Sequence, residues 1–133
     1  MSFLLTLAVE NINRSEYFYR QILGLSLERL PGRDAGGDSL LLRQGDAAIL
    51  LRAAEVLEAR HPVAFQHLSR QNRGVGVSLD FSVADLKSIH RALERHQHTI
   101  LYELEDEEHD FRELWCYDPD HYLIILSQTQ TRS

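Results

Sequence analysis

Histidine and glutamate side chains at short spacings are the first residues in this chain whose types suggest chemistry. His90 and Glu94 are four residues apart, and His96 and His98 are two apart. Both spacings are compatible with metal ligands, and a helix brings positions i and i+4 to one face. Because the sequence shows no third ligand converging on either pair, we interpret them as surface side chains.

The single cysteine is the next candidate for chemistry. Cys116 cannot form an internal disulfide, and it cannot build a thiolate zinc site by itself. The sequence around it shows no histidine or cation that would activate a thiolate. We therefore interpret Cys116 as a buried structural thiol rather than a nucleophile.

Length and composition limit the function classes. The 133 residues, 44% of them hydrophobic and 26% charged, are typical of one compact domain. The formal net charge of -6 argues against a nucleic-acid partner, which would require a basic face. No stretch approaches the roughly 20 apolar residues that span a bilayer, so we expect a cytoplasmic protein with no membrane partner.

The first half of the chain predicts a βαβββ module. Residues 5–9 alternate like a strand with one covered face, and a helix over 13–23 follows, capped by Asn11 or Asn13 and ended by Gly24. A turn is predicted at residues 31–38. The remaining strands are predicted at 26–29, 39–43 and 47–52.

The second half repeats this order. A strand at 76–83 precedes a helix with Asp85 as its cap and an apolar stripe of Leu86, Ile89 and Leu93. Strands follow at 99–104, 111–117 and 122–127, with a turn at 118–121. An offset of 74 residues also carries Leu7, Val9, Asn11 and Ile12 onto Phe81, Val83, Asp85 and Leu86.

These patterns predict an α+β protein made by internal duplication. Module 1 spans about residues 3–54, and module 2 spans about 74–128. A polar linker at about 55–73, which Pro62 prevents from forming a continuous helix, joins them and contains a short helix near 64–68.

Two segments resemble the vicinal oxygen chelate superfamily, which includes glyoxalases, extradiol dioxygenases and bleomycin-resistance proteins. The segment from Val9 to Leu25, VENINRSEYFYRQILGL, is similar to the opening of these proteins. The segment from Arg112 to Ile124, RELWCYDPDHYLI, is similar to their second hallmark, with His121 where the usual glycine stands. The resemblance implies that the modules form one curved mixed sheet around a cavity, with the helices outside, and that two chains pair as a homodimer.

The resemblance also implies where a metal ion would bind. In metal-using members, histidine, glutamine or glutamate lies at the start of each module's first strand and on its last strand. Those positions are Leu4, Leu51, Ser78 and Ile125 here, and a one-residue shift would replace Leu51 by Leu50 or Arg52. None is a usual ligand, so we predict no metal, no other cofactor and no catalytic residue.

Strand alternation then predicts which side chains face the cavity, because those in phase with the metal positions share a face. Ala8, Ile49, Ser82 and Leu123 are in phase with the metal positions and are therefore expected to face the cavity. The opposite phase, which packs beneath the helices, contains Leu7, Val9, Leu79, Phe81, Val83, Leu114, Cys116, Ile124 and Leu126. The candidate ligand-binding residues of the cavity are Thr6, Ser78, Asp80, Tyr102, Phe111, Glu113 and Trp115.

Three function classes remain open. A metal-free protein that binds or sequesters a cationic or aromatic ligand is favoured, because two carboxylates and aromatic rings share the predicted cavity. A glyoxalase-like or dioxygenase-like metal enzyme is the second, and an accessory subunit with a filled cavity is the third. Asp80 and Glu113 are also compatible with metal-free acid and base catalysis, or with Asp80 pairing with an arginine while Trp115 only fills space.

Overall fold

The computed structural model describes residues 3–32, 37–108 and 111–129, so part of the predicted turn at 31–38 lies outside the described residues. The described residues form two compact units, which meet in sequence between Arg73 and Gly74. Among them, no helix is both long and apolar enough to cross a membrane.

The first unit has the predicted βαβββ order and a further helix. Its sheet is mixed, because β1 pairs with β4 in parallel while the other neighbours are antiparallel, in the order β1-β4-β3-β2. The elements are β1 (Phe3–Val9), α1 (Ile12–Glu16, continuing as a π-helical segment over Tyr17–Ile22), β2 (Leu27–Leu30), β3 (Ser39–Gln44), β4 (Ala47–Ala53) and α2 (Ala54–Arg60).

The second unit repeats the arrangement, with the sheet order β5-β8-β7-β6 and a parallel pair between its first and last strands. Its elements are β5 (Ser78–Ser82), α3 (Leu86–Arg95), β6 (Ile100–Asp106), β7 (Phe111–Tyr117) and β8 (Leu123–Thr129). The predicted α+β fold of two βαβββ modules is confirmed.

The two helix starts use equivalent caps. The Asn11 Oδ1 accepts the Arg14 backbone N–H at 3.0 Å, and the Asp85 Oδ1 accepts that of Ser88 at 3.2 Å. The Ser88 hydroxyl and N–H both stabilise the Asp85 carboxylate and hold its pKa below the ordinary value. Of the two predicted caps for α1, Asn11 is therefore the one used, and its match with Asp85 supports the duplication.

The predicted helix-facing positions form the core of each unit. Helix α1 packs on β3 and β4, and α3 packs on β7 and β8. Val83 is half-buried. The buried members are Leu7, Val9, Leu79, Phe81, Leu114, Cys116, Ile124 and Leu126.

Helix α2 is a difference from the sequence prediction, which assigned residues 55–73 to a linker. The helix ends at Arg60, two residues before Pro62, so the proline limits its length without preventing it. Ala54 and Leu57 are buried against Ala8, and this burial stabilises a helix too short to be stable alone. The predicted short helix near 64–68 is instead a series of turns followed by a 3₁₀ turn at Leu68–Arg70.

The turn before β8 depends on one buried carboxylate. Asp118 is 3% exposed and accepts the backbone N–H groups of Asp120 at 2.8 Å and Tyr122 at 2.9 Å. His121 takes the left-handed conformation with φ of 67°, the role that the usual glycine of this turn would fill. Gly74 lies directly against this turn, since a Cβ there would be 2.1 Å from the His121 carbonyl oxygen.

We expect Gly74→Ala to lower the free energy of unfolding by about 3 kcal/mol, from the left-handed backbone and the steric clash together. Gly76→Ala is the matched control, because Gly76 also has positive φ but has open space around it. The control should cost only about 1 kcal/mol. Urea unfolding measures both, and equal losses would contradict the close approach of Gly74 to the turn.

Cys116 is fully buried, and burial raises the pKa of its thiol to about 12, with a smaller contribution from Asp118. We therefore expect the folded protein to react with a disulfide reagent at least a thousandfold more slowly than the unfolded protein, since roughly each pKa unit removes tenfold of the thiolate. The chain has one cysteine, so the released chromophore reports on it alone. Rapid labelling under native conditions would contradict the buried assignment.

Candidate functional site

The second sheet presents a mixed polar and aromatic surface on the face away from its buried core. We call this surface the site face. Alternation along each strand places it opposite Leu79, Leu114 and Ile124, which are buried. Its members include Ser78, Asp80, Ser82, Tyr102, Leu104, Glu113, Trp115, Tyr117, Leu123, Ile125 and Ser127.

The strand register arranges the site face in rows that cross all four strands. One row runs from Asp80 on β5 through Ile125 on β8 and Trp115 on β7 to Tyr102 on β6. The next row runs through Ser82, Ser127, Glu113 and Leu104. Residues far apart in sequence are thereby brought to neighbouring positions, because paired residues lie about 5 Å apart.

Trp115 makes two specific contacts on the site face. Its indole Nε1–H donates a hydrogen bond to the Glu113 Oε1. Its ring lies 5.4 Å from the Tyr102 ring, centroid to centroid, at an interplanar angle of 87°. Tyr102 is 60% exposed, while Trp115 and Glu113 are half-buried. Trp115 is therefore an oriented ring that contacts both a carboxylate and a second aromatic ring.

The other predicted cavity residues are distributed between the two units. Ser78 and Asp80 lie exposed on the site face with Tyr102, Glu113 and Trp115. Thr6 is exposed on the first sheet, where it pairs with Leu50. Phe111 begins β7, but its side chain lies outside the described residues. Whether these residues bind a ligand stays a prediction.

The first sheet corrects two assignments made by strand alternation. Leu51 and Ile49 were expected to face the cavity, but Leu51 is fully buried and pairs with Leu7 and Leu40 of the core. Ile49 shares its phase. The face of Thr6 instead carries Leu50, and Arg52 lies two residues further along β4. The prediction failed because the superfamily's ligand position on β4 was assigned to Leu51, one residue too far along the chain. A shift of one residue moves every side chain of a strand to the opposite face of the sheet.

The corrected set does not fit a metal ion. With β4 corrected, the positions at which metal-using members carry ligands hold Leu4, Leu50 or Arg52, Ser78 and Ile125 in this chain. Aliphatic and guanidinium groups donate no electron pair to a cation, and one serine hydroxyl is a poor ligand alone. Among the described residues, no group of three histidine, cysteine, aspartate or glutamate side chains converges as a metal site.

The face of the first sheet that carries Ala8 is partly covered by the chain that follows β4. Ala8, predicted to face the cavity, is buried against Ala54 and Leu57 of α2, and Phe65 and Leu68 pack on the same cluster. Sequence reasoning missed this cluster because the segment was assigned to a polar linker. The sequence pattern that could have predicted the cluster is the spacing of Ala54 and Leu57, which are three residues apart and therefore share one face of a helix.

His90 has a partner that its sequence spacing did not reveal. Its Nδ1 lies 3.1 Å from a Glu94 carboxylate oxygen, and its Nε2 lies 2.6 Å from that of Glu103 on β6. The two carboxylates therefore flank opposite sides of the ring, and one ion cannot bind both nitrogens at once. His90 links α3 to β6 and also lines a solvent-open pocket of about 370 Å³ with Lys87, Arg112 and Glu105.

Comparison with known proteins supports the fold. TnmS3, described as an antibiotic binding protein from Streptomyces sp. CB03234, is 16% identical and has a TM-score of 0.64, with 98% of this chain and 96% of that chain covered. Lactoylglutathione lyase from Agrobacterium tumefaciens is 14% identical with a TM-score of 0.63, and the coverage is 96% and 92%. At these identities the likeness shows the fold alone. No curated protein sequence matches the chain.

Comparison of the sequence with models of protein families assigns the chain to a family. The model of the Glyoxalase/Bleomycin resistance protein/Dioxygenase superfamily matches residues 3–126, nearly the whole chain. The match spans both βαβββ units, in agreement with their shared strand order. The chain therefore belongs to the glyoxalase/bleomycin resistance protein/dioxygenase superfamily.

Proposed function

We propose that this protein binds a compact cationic or aromatic small molecule on the site face and needs no metal ion to do so. The observation that carries the proposal is the Trp115 ring, which is held between Tyr102 and the Glu113 carboxylate. An oriented aromatic ring beside a carboxylate suits a ligand that is flat, positively charged or both.

The surroundings of Trp115 support the same ligand class. Asp80 adds a second carboxylate in the Trp115 row, and Ser82 and Ser127 add hydroxyl groups in the Glu113 row. Ile125 and Leu104 supply apolar surface next to these groups. Binding sites for small molecules combine apolar walls with a few placed polar groups in this way.

The metal-free part of the proposal is supported by the donor set. Side chains that could replace the water shell of a divalent ion are missing from the positions that the superfamily resemblance assigns to ligands. The description of TnmS3 as an antibiotic binding protein favours binding as the role of this chain too. A homodimer and a cytoplasmic location remain part of the proposal, taken from the resemblance and the composition.

The covered first sheet favours one alternative, an accessory subunit. Phe65 and Leu68 already pack on the cluster around Ala8, so side chains of the protein occupy part of the first-sheet face that strand alternation assigned to the cavity. On that reading, the site face would contact a protein partner instead of a small molecule.

Metal content separates binding from metal-dependent catalysis. We expect less than stoichiometric metal in untagged protein purified without chelator, and no change in its melting temperature when zinc, nickel, manganese or ferrous iron is added. The expectation follows from the aliphatic side chains at the implied ligand positions. Elemental analysis and thermal shift measure it, and one tightly bound ion per chain would restore the glyoxalase and dioxygenase classes.

Ligand binding is tested with a panel of aromatic and cationic compounds, read by thermal shift and by tryptophan fluorescence. Trp115 is the only tryptophan in the chain, so its emission reports on the site face. For any compound that binds, Trp115→Leu should weaken binding about fivefold to thirtyfold, the effect of losing about 1–2 kcal/mol of ring contact. Thermal shift follows this variant.

Tyr17→Leu is the matched control, because Tyr17 is an exposed aromatic residue on the helix of the first unit. It should leave the affinity unchanged. Equal weakening by both variants would contradict a site at Trp115. A panel in which nothing binds, together with capture of a second protein chain, would support the accessory subunit.

A further inference from the structure

We propose that the group recognised on the site face is a tertiary or quaternary alkylammonium, bound in the corner formed by Tyr102, Trp115 and Glu113. This inference rests on the proposed function, since it names the chemical class that the same site would take. It goes further by excluding the more common biological cations, the primary ammonium and the guanidinium, as the preferred head group.

The corner has two aromatic walls. The rings of Tyr102 and Trp115 are close to perpendicular, at 87°, with centroids 5.4 Å apart. Two perpendicular rings enclose a space in which a rounded cation can contact both walls, whereas a flat cation can stack on only one. The negative potential of a ring face attracts the cation within about 6 Å of the ring centroid.

Glu113 supplies the charge of the corner and also modifies its wall. Its carboxylate accepts the indole N–H of Trp115, which fixes the plane of the ring relative to the carboxylate. Hydrogen-bonded groups polarise one another, so donation to an anion increases the electron density of the indole ring. The same contact therefore strengthens the attraction of a cation to both the ring and the carboxylate.

Hydrogen-bond capacity selects the type of cation. A primary ammonium carries three N–H donors and a guanidinium carries five, and each donor taken from water needs an acceptor. In this corner the charged acceptor is the Glu113 carboxylate, one oxygen of which already accepts the indole N–H, and the Ser127 hydroxyl lies on the paired position of β8. An alkylated ammonium has at most one donor to satisfy and loses less hydration, so it binds the aromatic walls at lower cost.

Three small probes of similar size test this selectivity. Choline is a quaternary ammonium, 3,3-dimethylbutan-1-ol has the same shape without the charge, and ethanolamine has the charge without the methyl groups. Trp115 fluorescence is titrated with each at millimolar concentration in the wild-type protein. We expect choline to bind at least about fivefold more tightly than either of the other two.

Variants locate the effect. Glu113→Gln keeps an acceptor for the indole N–H but removes the charge, so it should abolish most of the preference for choline over the neutral alcohol. Glu105→Gln is the matched control, because it removes one carboxylate from β6 on the opposite face, where Glu105 pairs with Arg112 at 3.0 Å. Tyr102→Leu removes one wall and should weaken choline about threefold to tenfold, while unfolding in urea checks that it remains folded.

Each outcome decides the proposal. Selective choline binding that Glu113→Gln reduces and Glu105→Gln does not would support it. Equal binding of choline and the neutral alcohol would overturn recognition of charge, and equal binding of ethanolamine would overturn the preference for alkylation. Failure of choline while another compound of the panel binds at Trp115 would overturn this inference alone and leave the proposed function standing.

Discussion

The parallel pairing of the first strand with the last strand of each module is the constraint on which the rest of the structure depends. It fixes β1 against β4 and β5 against β8, and the antiparallel strands then follow in register. Because the side chains of a strand alternate, this one pairing decides which residues enter the core under the helix and which face away from it. The site face is therefore a consequence of the backbone ladder, and its polar residues occupy positions that the core does not need.

Much of the fold could be predicted from the sequence because its signals are local. The Asn11 and Asp85 caps, the apolar stripe of α3 and the alternation of β5 each depend on residues within one element. The duplication made these signals stronger, because the same order of strands and helix is predicted independently in both modules. Register is different, because it depends on the partner strand. Leu51 was assigned to the wrong face for this reason. Asp80, which is in phase with Ser78, and Trp115, which was counted back from the turn before β8, lie on one face as predicted.

The candidate site could be predicted as a set of residues but not as a set of contacts. Strand alternation put Glu113 and Trp115 on the same surface, and Tyr102 was added as a second ring that a cation could contact. Alternation contains no information about side-chain rotamers. The hydrogen bond from Trp115 to Glu113 and the perpendicular ring pair exist only once rotamers are chosen. The link from His90 to Glu103 was missed likewise, since it joins a helix to a strand that sequence spacing cannot relate.

Strand β6 lies at the edge of its sheet and exposes two large side chains, Tyr102 at 60% and Leu104 at 50%. An edge with unpaired backbone groups and exposed apolar side chains is a template for strand addition, and therefore for aggregation. The strand also carries the carboxylates Glu103, Glu105 and Asp106, and charged side chains on an edge strand disfavour pairing with a second edge, although His90 and Arg112 neutralise part of this charge. The acidic residues of this strand thus oppose the addition of further strands to the edge that exposes Tyr102.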